Sequence, residues 1–216
     1  MGFLSNIFGG KKSGPSPELI EAFKQINRII EDEEFQISIL PEQMQEFIKQ
    51  GPAVDVNPGA TGDFGLCETN PIPVNGAIGE LAYLSKLEAA NGDRLLFHRI
   101  GAIGTIDVFE AVTFSGGAWF VFFVDLYHPR KSRKAPSGLS LSSEVRQFSG
   151  FHNTCKNFPY DYPEVRHSLG ESILSLAYMP TGNVVGMLQK KVYERPLSHK
   201  AKLDIIRSKM TSLSMA

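Results

Sequence analysis

Paired cysteines are missing: the 216-residue chain has two thiols, Cys67 and Cys155, far apart and with no second cysteine beside either. That excludes a thiolate zinc centre and a disulfide-framed secreted scaffold, so a cytoplasmic location is expected. No apolar run reaches bilayer-spanning length, and no signal-peptide core appears. Charge of neither sign is in excess, with 22 basic against 23 acidic residues. No global field therefore gathers nucleic acid. Phosphate-cradling glycine motifs are lacking too, since Gly101–Gly104 (GAIG) has neither the dinucleotide fingerprint nor a P-loop lysine. No cofactor and no metal site is expected.

What is present is a core. The stretch Ala118–Leu126 carries one charge, Asp125, and otherwise only apolar side chains. A strand half-facing water alternates apolar and polar positions, so this one is expected to be covered on both faces. Asp125 then sits where a charge is costly.

Three parts are expected: a terminal segment and linker (1–15), a helical lobe (16–52) and a main α+β domain (53–216). Phe3, Leu4, Ile7 and Phe8 share one helical face, and four half-buried apolar side chains contribute about 4 kcal/mol, marginal for membrane residence. Ser16 and Pro17 start a helix to about Glu33, with Leu19, Phe23, Ile26 and Ile30 inward. Phe35–Leu40 alternates like a short strand, and Pro41–Gln50 forms a second helix. Ala53–Asn70 is a long loop, and Asn70–Val74 (NPIPV), with its alternate prolines, fits only an edge strand or an extended segment pinned to a surface. A helix is expected over Gly79–Ala89. Arg94–Ile103, Thr105–Phe114 and Ala118–Tyr127 then form an antiparallel meander. Ser172–Met179 and Val184–Tyr193 suggest later strands, and Ser198–Met210 a closing helix capped by Ser198, with Ala201 and Ile205 inward and Leu203 and Ile206 as further inward positions.

The segments Asn70–Leu84 (NPIPVNGAIGELAYL), Phe97–Gly101 (FHRIG) and Asp125–Pro136 (DLYHPRKSRKAP) together resemble a pattern in small bacterial proteins that have no assigned activity. The resemblance covers about the middle third of the chain. It implies a type of protein and carries over no active site.

Candidate sites rest on the residues themselves. Hairpin tips at Gly116–Gly117 and Ile103–Gly104 would put Arg99, Glu110 and Asp125 on one face as an ion cluster, with His98 on the other face opposite Phe109. A misjudged turn residue would reverse the face. His98, Arg99, Asp125 and His128 are candidate catalytic groups. Cys155 joins them through His152, three residues before it, as a base–nucleophile pair. Arg130, Lys131, Arg133 and Lys134 form a basic loop suited to an anion or a partner. Phe158, Tyr160 and Tyr162, stiffened by prolines, offer an aromatic contact surface.

The expected fold is α+β, a largely antiparallel sheet with N- and C-terminal helices packed against one side. The expected function is a cytosolic binding protein acting on another protein, immunity-like in its concrete form. The alternatives are a small hydrolase or transferase with a His/Arg/Asp or Cys/His pocket, and a membrane adaptor through residues 3–8.

Overall fold

The computed structural model describes residues 16–144, 148–162, 188 and 190–213. The expected anchor at Phe3–Phe8 and the strand at Ser172–Met179 lie outside the described residues. Of Val184–Tyr193, Leu188 and Lys190 are helical and 191–193 carry no regular structure, so the described part of that stretch is not a strand.

Helix α1 (Pro17–Glu31) opens one residue after Ser16, whose carbonyl accepts the Ile20 N–H at 3.0 Å. Ile29 and Ile30 are buried, whereas Phe23 is 60% exposed. Of the expected inward positions, Ile30 is thus in the core and Phe23 is not. Phe35–Leu40 is not a strand. Asp32 accepts the Phe35 N–H at 2.9 Å and nucleates α2 (Glu33–Ser38); a side-chain cap overrides the two-residue alternation. Inside α2, buried Gln36 donates to the carbonyls of Ile29 and Ile30, both at 2.8 Å. It thereby satisfies carbonyls that the end of α1 leaves open. Helix α3 (Glu42–Gln50) follows as expected.

The loop 53–71 leads into β1 (Ile72–Pro73), an edge strand that pairs parallel with Val124 and Asp125. Helix α4 (Gly76–Lys86) starts earlier than expected and stops at Lys86. Leu87–Ala89 is instead strand β2, paired antiparallel with Leu139–Leu141; Leu87 is buried there, and its spacing of three from Leu84 fits a helix as readily. The meander is β3 (Leu95–Ile103), β4 (Ile106–Thr113) and β5 (Trp119–Asp125). Strands β6 (Leu139–Leu141) and β7 (Gly150–Phe151) follow. The main sheet has the order β1-β5-β4-β3-β7, antiparallel through the meander and parallel at both edges; β2 and β6 form a separate ribbon.

Phe122 and Val124 are fully buried, and Val121 and Phe123 nearly so. They alternate between two cores. Phe122 and Val124 join Phe109, Phe97 and residues of α1 and α4 in the larger one. Val121, Phe123 and Val108 pack on the closing helix α5 (Leu197–Leu213) through Leu203 and Ile206. Helix α4, with α1 packed on it, thus lies on one face of the sheet and α5 on the other, so the terminal helices do not share one side. α5 begins at Leu197, so Ser198 lies inside it. His199, Leu203, Ile206 and Met210 face the sheet, whereas Ile205 is 62% exposed and Ala201 is exposed. A buried histidine replaced the apolar residue that would have marked this face.

The Arg99, Glu110, Asp125 cluster does not form. Ile103 pairs with Ile106 and Gly101 with Val108, but a bulge between Arg99 and Gly101 shifts the earlier pairs to Arg99–Phe109 and His98–Glu110. One extra residue turns every preceding side chain to the other face. Gly101 sits just beyond the bulge at φ 151°, where a Cβ would lie 2.6 Å from the Met210 sulfur.

Candidate functional site

The sequence candidates do not converge on one site. His98, on β3, lies against β4, with Nε2 3.1 Å from Glu110 Oε2 and Nδ1 accepting the Cys155 N–H at 2.9 Å. That acceptor role fixes its proton on Nε2, and burial lowers its pKa. Fully buried Glu110 also accepts from Arg195 Nε at 2.6 Å and lies 3.1 Å from His199 Nε2. Burial alone would raise its pKa, but His199, His98 and Arg195 hold it well below the usual carboxylate range. The group clamps the chain before α5 onto the sheet.

Arg99 lies on the opposite face and holds Asp107 through two bonds of 2.7 Å. His152 and Cys155 do not pair: His152 Nε2 is 2.6 Å from the Ala77 carbonyl, and Cys155 is buried, which pushes its thiol pKa up. A thiol so placed is a poor nucleophile.

The basic loop is largely spent internally. Arg130 donates to Asp55 at 2.6 Å and to the Ala53 carbonyl at 3.1 Å. Lys131 is buried, with Nζ 3.0 Å from Gln36 Oε1 and 3.4 Å from Glu33. Lys134 lies over the Phe64 ring at 5.0 Å, and Arg133 is exposed. Of the aromatic trio, Phe158 stacks on His98 at 4.1 Å and Tyr162 on Phe151 at 4.7 Å, both buried. Tyr160 alone is exposed, at 39%.

Asp125 and His128 open onto a cleft of about 430 Å³ lined by Phe47, Gln50, Gly51, Pro52, Asn57, Thr105 and Tyr127. It is built where α3 ends against the end of β5. A Cβ on Gly51 would sit 2.0 Å from the Tyr127 carbonyl oxygen, so only glycine allows this approach. Phe47, 59% exposed, meets Tyr127 edge-on at 4.9 Å and forms the rim. On the floor, Asp125 Oδ2 accepts from Asn57 at 3.2 Å and lies 3.1 Å from His128 Nε2; Oδ1 accepts the Tyr127 N–H at 3.3 Å. Burial alone would raise the Asp125 pKa, but His128, Tyr127 and Asn57 together lower it. Burial would lower that of His128, yet Asp125 and the Pro52 carbonyl, 2.8 Å from Nδ1, raise it. With an acceptor at each nitrogen, the imidazolium is favoured.

Sequence reasoning missed Phe47, Asn57 and Tyr127, whose convergence depends on the loop after α3, and Glu80 and Asp107. Glu80 did carry a signal, as the one charge in Gly76–Ser85. It is fully buried on α4, and its Oε2 lies 3.1 Å from His152 Nδ1. Burial, then the nearby Asp107 charge, raise its pKa well above the ordinary value. No family model matches the chain, and no curated protein or solved structure matches it. Among the described residues, no helix is long and apolar enough to cross a membrane.

Proposed function

We propose that the chain is a binding protein that acts in the cytosol and takes a large apolar side chain of a partner protein into the cleft at the end of β5. The observation that carries this reading is the exposed Phe47, set edge-on against Tyr127 at the mouth of a polar-floored cleft. An exposed aromatic beside a pocket is the geometry of a contact anchor. Met44, one turn earlier on α3 and 37% exposed, extends the apolar strip.

Catalysis is the weaker reading. His128 has an acceptor at both ring nitrogens, and His98 has Glu110 at one and the Cys155 N–H at the other. Neither keeps a nitrogen for a substrate proton. His98, Arg99 and Cys155 also make their contacts away from the cleft.

Affinity recovery of partners with wild-type chain, with Phe47→Asp, and with Arg133→Glu/Lys134→Glu tests the proposal. A charge at the rim abolishes recovery, and reversal of the basic loop leaves it intact. The opposite pattern moves the contact surface to the loop.

A further inference from the structure

A second constellation lies beneath α4. Glu80 from α4, Asp107 from β4 and His152, one residue past β7, bring one potential ligand atom each to within 4.8 Å of the others. Glu80 is fully buried; its Oε2 lies 3.1 Å from His152 Nδ1 and its carboxyl group neighbours that of Asp107, and no other donor reaches either oxygen. A buried carboxyl group with no donor beyond that pair calls for an explanation, and a bound cation is one. We propose that Glu80, Asp107 and His152 form a binding site for a first-row divalent cation of the Mn2+, Fe2+ or Zn2+ class.

The surroundings suit metal binding. His152 donates its Nε2–H to the Ala77 carbonyl at 2.6 Å, which leaves the Nδ1 lone pair on the side of Glu80. A backbone carbonyl holding the far ring nitrogen is how proteins orient a ligating histidine. Asp107 is oriented in the same manner by Arg99, which takes one lone pair from each carboxylate oxygen and leaves one on each. Arg99 balances one of the two carboxylates, and a divalent cation supplies positive charge for the other. One imidazole and two carboxylates with no thiolate select borderline cations over copper(I).

The dimensions fit as well. Adjacent ligand atoms on an ion bound at about 2.1 Å stand about 3.0–3.4 Å apart and opposite ones about 4.2 Å, so a spread of up to 4.8 Å closes by about an ångström through side-chain rotation. The His152 side chain is 26% exposed, which lets water complete the coordination sphere. Three elements distant in sequence would be joined through one ion.

The test uses the full chain after chelator treatment, dialysed against Zn2+ or Mn2+ with metal counted per chain, and Co2+ absorption as a report on ligand type. The expected result is one ion per chain, a Co2+ spectrum without thiolate charge transfer, and affinity lowered at least about a hundredfold in Glu80→Gln and in His152→Gln. Substoichiometric binding by wild type, or unchanged binding in both folded variants, overturns the site and leaves Glu80 as a protonated buried acid. Should both variants unfold, Mn2+ broadening of the Phe109 ring protons in the wild type decides, because that ring is 5.9 Å from His152. Broadening there supports the site, and its absence overturns it.

Discussion

Arg195→Ala removes the one permanent cation from the buried Glu110 group. Glu110 is 0% exposed and loses two bonds of 2.6 and 3.1 Å to the guanidinium. The Phe158 carbonyl loses its donor at 2.8 Å, and Trp119 loses the cation 5.1 Å from its ring. His98 and His199 remain beside the carboxylate at 3.1 Å each. Neutral imidazole donors do not replace a formal charge, and stranding one partner of a buried ion pair costs about 3–5 kcal/mol. With a urea slope near 2.5 kcal/mol/M, the midpoint falls by about 1–2 M. The Arg195 side chain is 25% exposed, so the loss belongs to the lower half of that range. Because Glu110 is buried, the loss persists when salt is raised to screen surface charges. Adding Glu110→Gln recovers part of it, since an amide leaves no charge stranded. A loss below about 1 kcal/mol, or one that vanishes in salt, refutes the clamp.

His128→Gln tests the cleft floor through pH. The folded pKa of His128 is raised, so its contribution is complete below the ordinary histidine value of 6.5 and lost as pH rises through the folded value. That of Asp125 is lowered, so its contribution is present above 3.8 and lost as pH falls through the folded value. Urea midpoints should therefore separate wild type from variant most at pH 5–6 and least at pH 9; an equal gap at both refutes the pairing. Gly51→Ala drives a Cβ into the Tyr127 carbonyl, and should cost about 1–3 kcal/mol as overpacking while abolishing partner recovery; unchanged melting and recovery would contradict the packed junction. Gln36→Leu strips the Asn75 amide and the Lys131 ammonium of an acceptor, at 2.7 and 3.0 Å, and two carbonyls of a donor. Thermal melting should show a loss of about 2–4 kcal/mol.

The sheet was legible because its signal is long. Ala118–Leu126 has too few polar positions for a solvent-facing strand, and glycines mark both neighbouring turns. The alternate prolines of Asn70–Val74 placed an edge strand correctly, since proline cannot complete a ladder. Finer placement failed where one residue decides it. The bulge before Gly101 sends His98 and Arg99 to the faces opposite those inferred from the turn, and nothing in Phe97–Ile103 marks it except the glycine. Polar residues at buried positions blurred two faces: Gln36 beneath α1 and His199 on α5 interrupt the apolar periodicity, although Leu203 and Ile206 on α5 do face inward as expected. The cleft was half visible, through Asp125 and His128, but its rim comes from α3, about 80 residues earlier in the chain, and no local pattern reports such a meeting.

A photo-crosslinking side chain in place of Gln50 tests the binding cleft most directly, with the same group at Arg133 and at Tyr160 as controls. Irradiation with the partner present should give one discrete adduct from position 50, lost when Phe47→Asp is added, and none from the controls. Adducts from position 133 or 160 with none from position 50 would contradict the cleft as the contact surface.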